Sequence, residues 1–319
     1  MKLLSLPEQT RIPFMRYRKP VMIGSLILSI LSIVLFGTIG MNYGIDFRGG
    51  TMVELRFEEP VDIAEMRSEI GSLNLGDVQI VEFGDPTDVM IRIEEQPGGE
   101  EAQQRGVIML REIYGETADF RRVEVVGPRV SGELAQAGAI AVVGALLAIM
   151  AYIWLRFEWH FAVGAVVTTA HDVILTIGLF SITQIEFNLT SIAAVLTIVG
   201  YSLNDTVVVY DRVRENLRRY KRLPMPDLID LSINQMLSRT LMTSITTLLA
   251  LIALFVFGGE VIRSFTFAMI WGVLVGTFSS IFIAAPLLIT LNMRRGAVAG
   301  NDEEGGDEAS EDASEPAKA

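Results

Sequence analysis

The sequence predicts a polytopic α-helical membrane protein, with six transmembrane helices and one external α+β domain between the first two. Three observations predict it. Val21–Gly40 is a run of 20 residues without a charge, long enough to cross a hydrocarbon core at about 1.5 Å per residue. The further apolar runs begin only after residue 134. The charge is sorted into blocks: five bases and one acid in residues 1–40, 9 and 20 in 41–134, 11 and 9 in 135–300, and one and 8 in 301–319. Such sorting is what a membrane imposes on the compartments it separates.

Composition excludes several function classes. With 50% hydrophobic residues and a mean hydropathy of +0.42, the chain is too apolar, and too unevenly so, for one soluble domain. Cysteine is absent, which removes disulfides and thiolate metal sites. With only His160 and His171, a multi-histidine metal site is not expected either. No phosphate loop of the GxxxxGK[ST] type and no nucleophile triad stands out, so neither a cofactor nor an enzymatic activity is expected. The acidic balance of residues 41–134 argues against nucleic acid as a partner.

The first span is preceded by Arg11, Arg16, Arg18 and Lys19. A cleaved signal peptide is the alternative, but the run is long and no small-x-small site follows it. The expectation is a retained helix over 21–40 after a cytoplasmic segment 1–20. The later runs are Ala135–Leu155, Phe161–Ile182, Leu189–Tyr210, Leu241–Phe257 and Phe265–Met293, placing spans two to six within 135–295. Arg156, the cluster Arg212, Arg214, Arg218, Arg219, Lys221 and Arg222, and the pair Arg294 and Arg295 fall in alternate loops. Basic loops stay inside, so both termini and a basic loop at 211–238 are expected in the cytoplasm, with 41–134 outside. The last stretch, 296–319, is acidic from Asn301 and rich in Gly, Ser and Ala; it has almost nothing to bury and is expected to be disordered.

Within 41–134, Thr51–Phe57 alternates like a strand, and Val61–Leu73 places Ile63, Met66 and Ile70 on one helical face. Val78–Phe83 and Asp88–Glu94 are strand-like around Gly84-Asp85-Pro86. Glu100–Tyr114 is helical and Phe120–Val126 is a last strand. The order βαββαβ is the ferredoxin-like pattern, a fold that by itself says little about activity. Asp46-Phe47-Arg48-Gly49-Gly50, between the first span and this domain, reads as a tight turn in which Gly49 and Gly50 supply positive φ.

Ionisable groups at membrane depth cost at least about 2.5–3.5 kcal/mol each, so each needs a reason to be there. Asp205 shares a helical face with Tyr201 and Thr197, beside Asn204. Arg239 heads a second polar stripe with Gln235, Thr243 and Thr247. A carboxylate and a guanidinium on neighbouring helices make a gate: the guanidinium favours the charged carboxylate, and protonation removes the attraction and frees the helices. An interfacial Asp205, a static ion pair, or an Arg239 snorkelling to headgroups are the plainer readings. His171 and Asp172 in the third span point about 100° apart as helix neighbours; they are either a proton relay or a satisfied structural pair.

Three segments resemble the SecF family of protein-export membrane proteins: Gly44-Ile45-Asp46-Phe47-Arg48-Gly49-Gly50-Thr51, His171-Asp172-Val173-Ile174, and Gly200-Tyr201-Ser202-Leu203-Asn204-Asp205-Thr206 continuing to Asn216. Leu237-Ser238-Arg239-Thr240 looks like its counterpart there, and the resemblance runs over roughly 14–295. It implies a multi-pass subunit of the bacterial plasma (inner) membrane that pairs with a SecD-like chain. Such a pair assists the SecYEG channel and the SecA motor in moving preproteins, and belongs to the resistance-nodulation-division superfamily. It implies that Asp205 is the proton- or sodium-coupling carboxylate and Arg239 its basic partner, and leaves His171 and Asp172 without a role. The competing function is half of a small-solute or lipid exporter of the same superfamily, whose external domain should hold a substrate-sized apolar pocket. Membrane lipid surrounds the spans on either reading. A six-helix chain is half of the superfamily's usual arrangement, so a matching half is expected. Small residues on the second and third spans (Gly138, Ala141, Ala145; Gly164, Ala165) are expected to meet it.

Overall fold

The computed structural model describes residues 10–82, 84–259, 262–291 and 293. The acidic tail 296–319 and the basic pair Arg294 and Arg295 lie outside the described residues. After a short 3-10 turn at Phe14–Tyr17, helix α1 (Arg18–Thr38) leads through the one-turn helix α2 (Ile45–Arg48) into the domain: β1 (Gly50–Phe57), α3 (Ile63–Gly71), β2 (Val78–Glu82), β3 (Asp88–Ile93), α4 (Glu100–Tyr114) and β4 (Ala118–Val126). The bundle continues with α5 (Pro128–Arg156), α6 (Trp159–Thr183), α7 (Leu189–Arg219), α8 (Met225–Phe257), α9 (Arg263–Ser279), a π-helical turn (Ser280–Ala284) and α10 (Ala285–Thr290). Among the described residues, six helical segments are long and apolar enough to cross a membrane.

The bundle is apolar on its outside. Ile23, Leu26 and Ile27 of α1, Ile140, Val143 and Leu147 of α5, and Leu249, Ile252 and Val256 of α8 are all exposed. Contiguous exposed apolar surface on this scale fits hydrocarbon, not water. The polar groups turn inward instead: Ser25, Thr168, Asp172, Ser202, Asp205, Thr206, Ser279 and Ser280 are all buried. α6 and α9 form the centre. Gly272 and Gly276 of α9 meet Ile198 and Ser202 of α7, and Gly178 of α6 meets Ser32 of α1, so small residues allow close crossings. Gly164 packs on Tyr210 and Gly138 on Ile192, and Ala165 is fully buried. These three residues, expected to face a partner, are consumed inside this chain's own bundle.

The four strands form one antiparallel sheet in the order β2-β3-β1-β4. The central register pairs Val53 with both Ile91 and Val123. This is the ferredoxin-like arrangement that the βαββαβ order predicts. α3 and α4 cover one face through Val53, Leu55, Met66, Ile70, Ile91, Ile93 and Leu110. The domain interior is filled by its own side chains. The other face, with Met52, Glu54, Met90, Arg122 and Glu124, turns toward the bundle.

The entry to the sheet depends on two glycines. Gly49 has φ 77° and Gly50 φ 124°, and a Cβ at Gly50 would fall 2.5 Å from the Ile93 carbonyl oxygen. Positive φ costs an L-residue about 1–3 kcal/mol, and here a backbone clash adds to it. Gly50→Ala is therefore expected to loosen the first strand. In the full chain, limited proteolysis within 41–126 should accelerate, while the spans stay protected.

Two elements extend past their apolar cores. α7 runs to Arg219 and α8 starts at Met225, so the segment 211–238, expected as a loop, is two helix ends joined at Tyr220–Pro224. Tyr210, Val213 and Leu217 pack with Leu228, Ile229 and Ile233, and Asn216 Nδ2 donates to Ser232 Oγ (2.8 Å) and Gln235 Oε1 (2.9 Å). The last span is not a continuous α-helix. Pro286 has no N–H for the carbonyl of Phe282, and the helix widens into the π-turn before it. Tyr210 Oη donates to the Ala284 carbonyl there (3.0 Å).

Candidate ion-coupling site

Asp205 lies on α7, one turn beyond Tyr201 and Ser202. Its neighbour Thr206 is tied to Ser280 at the π-turn (Oγ1 to Oγ, 2.9 Å). The carboxylate is 3% exposed, and its Oδ2 is buried with no hydrogen-bond partner among the described residues. A buried acceptor without a partner is rare and expensive.

Arg239 of α8 is the charge that acts on Asp205 through space, yet no ion pair joins them among the described residues. Its side chain is exposed and lines a cavity of about 380 Å³ with Tyr152, Arg156, Asp211, Arg212 and Glu215. The cavity sits at the basic end of the bundle. Tyr201 Oη donates to Ser244 Oγ at 3.5 Å, linking α7 to α8. Asn204 and Thr243 are not gathered at Asp205. Asn204 is exposed with Thr197 and Gly200 on the outer face of α7. Thr243 is exposed on α8, its hydroxyl bonded to the carbonyls of Arg239 (3.2 Å) and Thr240 (2.9 Å). Thr197, Asn204 and Thr243 thus lie on the exterior of the bundle.

A second cluster lies deeper in the bundle. His171 Nδ1 donates to Asp172 Oδ1 at 2.9 Å, and Asp172 Oδ2 accepts from Ser202 Oγ (2.5 Å) and Ser279 Oγ (2.7 Å). With Nδ1 donating to the carboxyl oxygen, Nε2 accepts from Ser25 Oγ, 2.5 Å away. The adjacent pair, expected to point apart, is thus one site, because the imidazole curls back onto its neighbour's carboxylate. Asp172 ties α6 to α7 and α9, and His171 ties α6 to α1. The serines were missed, since a serine in an apolar helix most often bonds its own backbone. Their signal was burial on small-residue faces, which only packing reveals.

Asp46 is placed on the N-terminal end of α7: its Oδ2 accepts from the Leu189 N–H at 2.8 Å. Beside it, Glu186 pairs with Arg92 of β3. Burial raises the pKa of Glu186, and the Arg92 charge opposes that.

This geometry defines a class: a membrane helical bundle with buried ionisable groups at its centre and a small α+β domain fastened to one end. The chain belongs to the SecD/SecF family of protein-export membrane proteins. The family model described as "Protein export membrane protein SecD/SecF, C-terminal" matches residues 108–294, and the "SecD/SecF GG Motif" matches 34–61. The first stretch contains His171, Asp172, Asp205 and Arg239; the second contains Asp46, Gly49 and Gly50. The protein translocase subunit SecF of Rickettsia rickettsii is 46% identical over 287 residues, covering 89% of this chain and 92% of that one. The protein translocase subunit SecDF of Brucella abortus is 46% identical over 294 residues, 92% of this chain but 39% of its own length. The crystal structure of SecDF from Thermus thermophilus, described as a translocon-associated membrane protein, superposes with a TM-score of 0.82 at 34% identity. It is matched over 91% of this chain and 40% of that one.

Proposed function

We propose that this chain uses an ion gradient, of protons or sodium, to assist preprotein translocation through a SecYEG-type channel driven by a SecA-type motor, in complex with a SecD-like subunit. The observation that carries the reading is Asp205: a buried carboxylate with an unpartnered oxygen, near a guanidinium that makes no contact with it. Such a group can be charged or neutral, and an ion that binds one of these states better shifts the helices between them. The exposed amide of Asn204 on α7 supports a partner subunit, because such side chains in a span bond across to a neighbouring helix. In the relative from Brucella abortus, which is named SecDF, this chain matches 39% of the length, which leaves room for that partner in one polypeptide.

The orientation belongs to the same proposal. Arg16, Arg18, Arg156, Arg212, Arg214 and Arg218 fall at one end of the bundle, supporting a cytoplasmic side there and an external position for 41–134. Reporter fusions after residue 100 and after residue 220 should read outside and inside respectively; an external reading at 220 overturns the orientation. The function itself is tested with inverted membrane vesicles lacking this chain. Preprotein import should continue on ATP but lose its stimulation by the ion gradient, and a second six-helix subunit should copurify with the chain in mild detergent. Recovery of a fully active monomer would overturn the paired reading.

A further inference from the structure

The external domain and α7 are joined by a seam that belongs to neither. Its backbone part is a parallel bridge between Tyr43 and Phe187, with Gly44 N–H donating to the Phe187 carbonyl (2.9 Å) and Phe187 N–H to the Asn42 carbonyl (2.8 Å). Around it, Phe187 packs against Phe47 (ring centroids 5.7 Å) and against the fully buried Phe180 of α6 (5.1 Å). Its charged part is the Arg92–Glu186 pair and the Asp46 carboxylate on the first N–H of α7.

Asp46 thus caps a helix it is not part of. The first N–H groups of a helix have no partner within it and carry the positive end of its dipole. Asn188 and Ser191 already form a capping box on α7; Asp46 adds a cap delivered from the domain side. Asp205 lies 16 residues further along the same helix, about 24 Å at 1.5 Å per residue. Beyond the seam, whose Asp46, Glu186 and Leu189 line its near wall, a cavity of about 590 Å³ parts the domain from the bundle, between Met52, Glu54, Arg122 and Glu124 of the sheet and Phe255, Ser264 and Phe267 of the bundle. One side is fastened and the other is open, which is the layout of a hinge.

We propose that Asp46 is a positioning residue that fastens the external domain to the outer end of α7, so that a shift of α7 at Asp205 tilts the domain about the Tyr43–Phe187 seam. The inference rests on the ion-coupling role of Asp205. Helix shifts in switching proteins are about 1–2 Å, and a domain pivoting at its edge enlarges them.

The chain has no cysteine, so labels can be placed at will. Spin labels at Met109→Cys on α4 and Leu155→Cys at the far end of α5, both exposed, report the tilt in the assembled membrane complex. With Asp46 intact, Asp205→Asn should move the inter-label distance by about 2 Å or more. Asp46→Ala should abolish that difference. Asp46→Asn, whose amide oxygen still accepts from the Leu189 N–H, should restore it. If Asp46→Ala does not accumulate, Asp46→Leu, close in size to the aspartate but without an acceptor for the Leu189 N–H, gives the same comparison. A difference that survives in Asp46→Ala or in Asp46→Leu overturns the proposal. So does the lack of any difference with Asp46 intact. Export by Asp205→Asn, read separately, shows whether the coupling role has failed instead.

Discussion

Asp172→Ala should prevent normal accumulation of the chain. The carboxylate accepts from three buried donors, His171, Ser202 and Ser279, which sit on three different helices. Ser279 keeps the Gly276 carbonyl as an acceptor (3.1 Å), but the buried donors of His171 and Ser202 are orphaned at about 1–3 kcal/mol each. That is a large fraction of the stability of an ordinary domain, about 5–15 kcal/mol. Asp172→Asn keeps one carbonyl oxygen, and the serine hydroxyls can accept from its amide, so the loss should be smaller. Membrane abundance and detergent melting of the two variants check this. Wild-type abundance for Asp172→Ala would mean that the cluster does not hold the helices together.

Asp205→Asn should behave in the opposite way. It is nearly isosteric, and Oδ2 has no protein partner to lose. Insertion, melting and pairing should therefore match wild type, while the component of export driven by the ion gradient falls to background. Arg239→Met should share the export defect: the carboxylate then loses the guanidinium that favours its charged state, and only one state remains populated. Its abundance should also hold, because Arg239 is exposed and contributes no ion pair to Asp205. Two buried aspartates in one bundle are thus separated by their partners. The one with three hydrogen bonds should be needed for folding, and the one with a bare oxygen for coupling.

Much of this architecture is legible in the sequence. Charge-free runs of span length can do little else than cross a membrane, and the alternation in 51–57 and 88–94 reads directly as strands of a half-buried sheet. Asp205 stood out because a carboxylate within an apolar run has no ordinary explanation. What was not legible depends on packing between distant segments. Ser25 and Ser279 reach the His171–Asp172 cluster from opposite ends of the chain, and their hydroxyls look like any others in a helix. The partner of Asp46 is a backbone N–H, which leaves no trace in residue type. Gly164 and Ala165 look the same whether they meet a neighbouring subunit or Tyr210 of their own chain. The extension of α7 beyond Tyr210 was hidden because its charges end the apolar run while one face stays buried through Val213 and Leu217.

Import of a preprotein into inverted vesicles at saturating ATP, with and without an ionophore, tests the role of Asp205 most directly. Wild-type vesicles should slow when the gradient is collapsed. Asp205→Asn vesicles, carrying the same amount of paired subunit, should import at the collapsed-gradient rate whether or not the ionophore is present. A wild-type response to the ionophore in Asp205→Asn vesicles would contradict ion coupling at this carboxylate and leave Asp205 a structural residue.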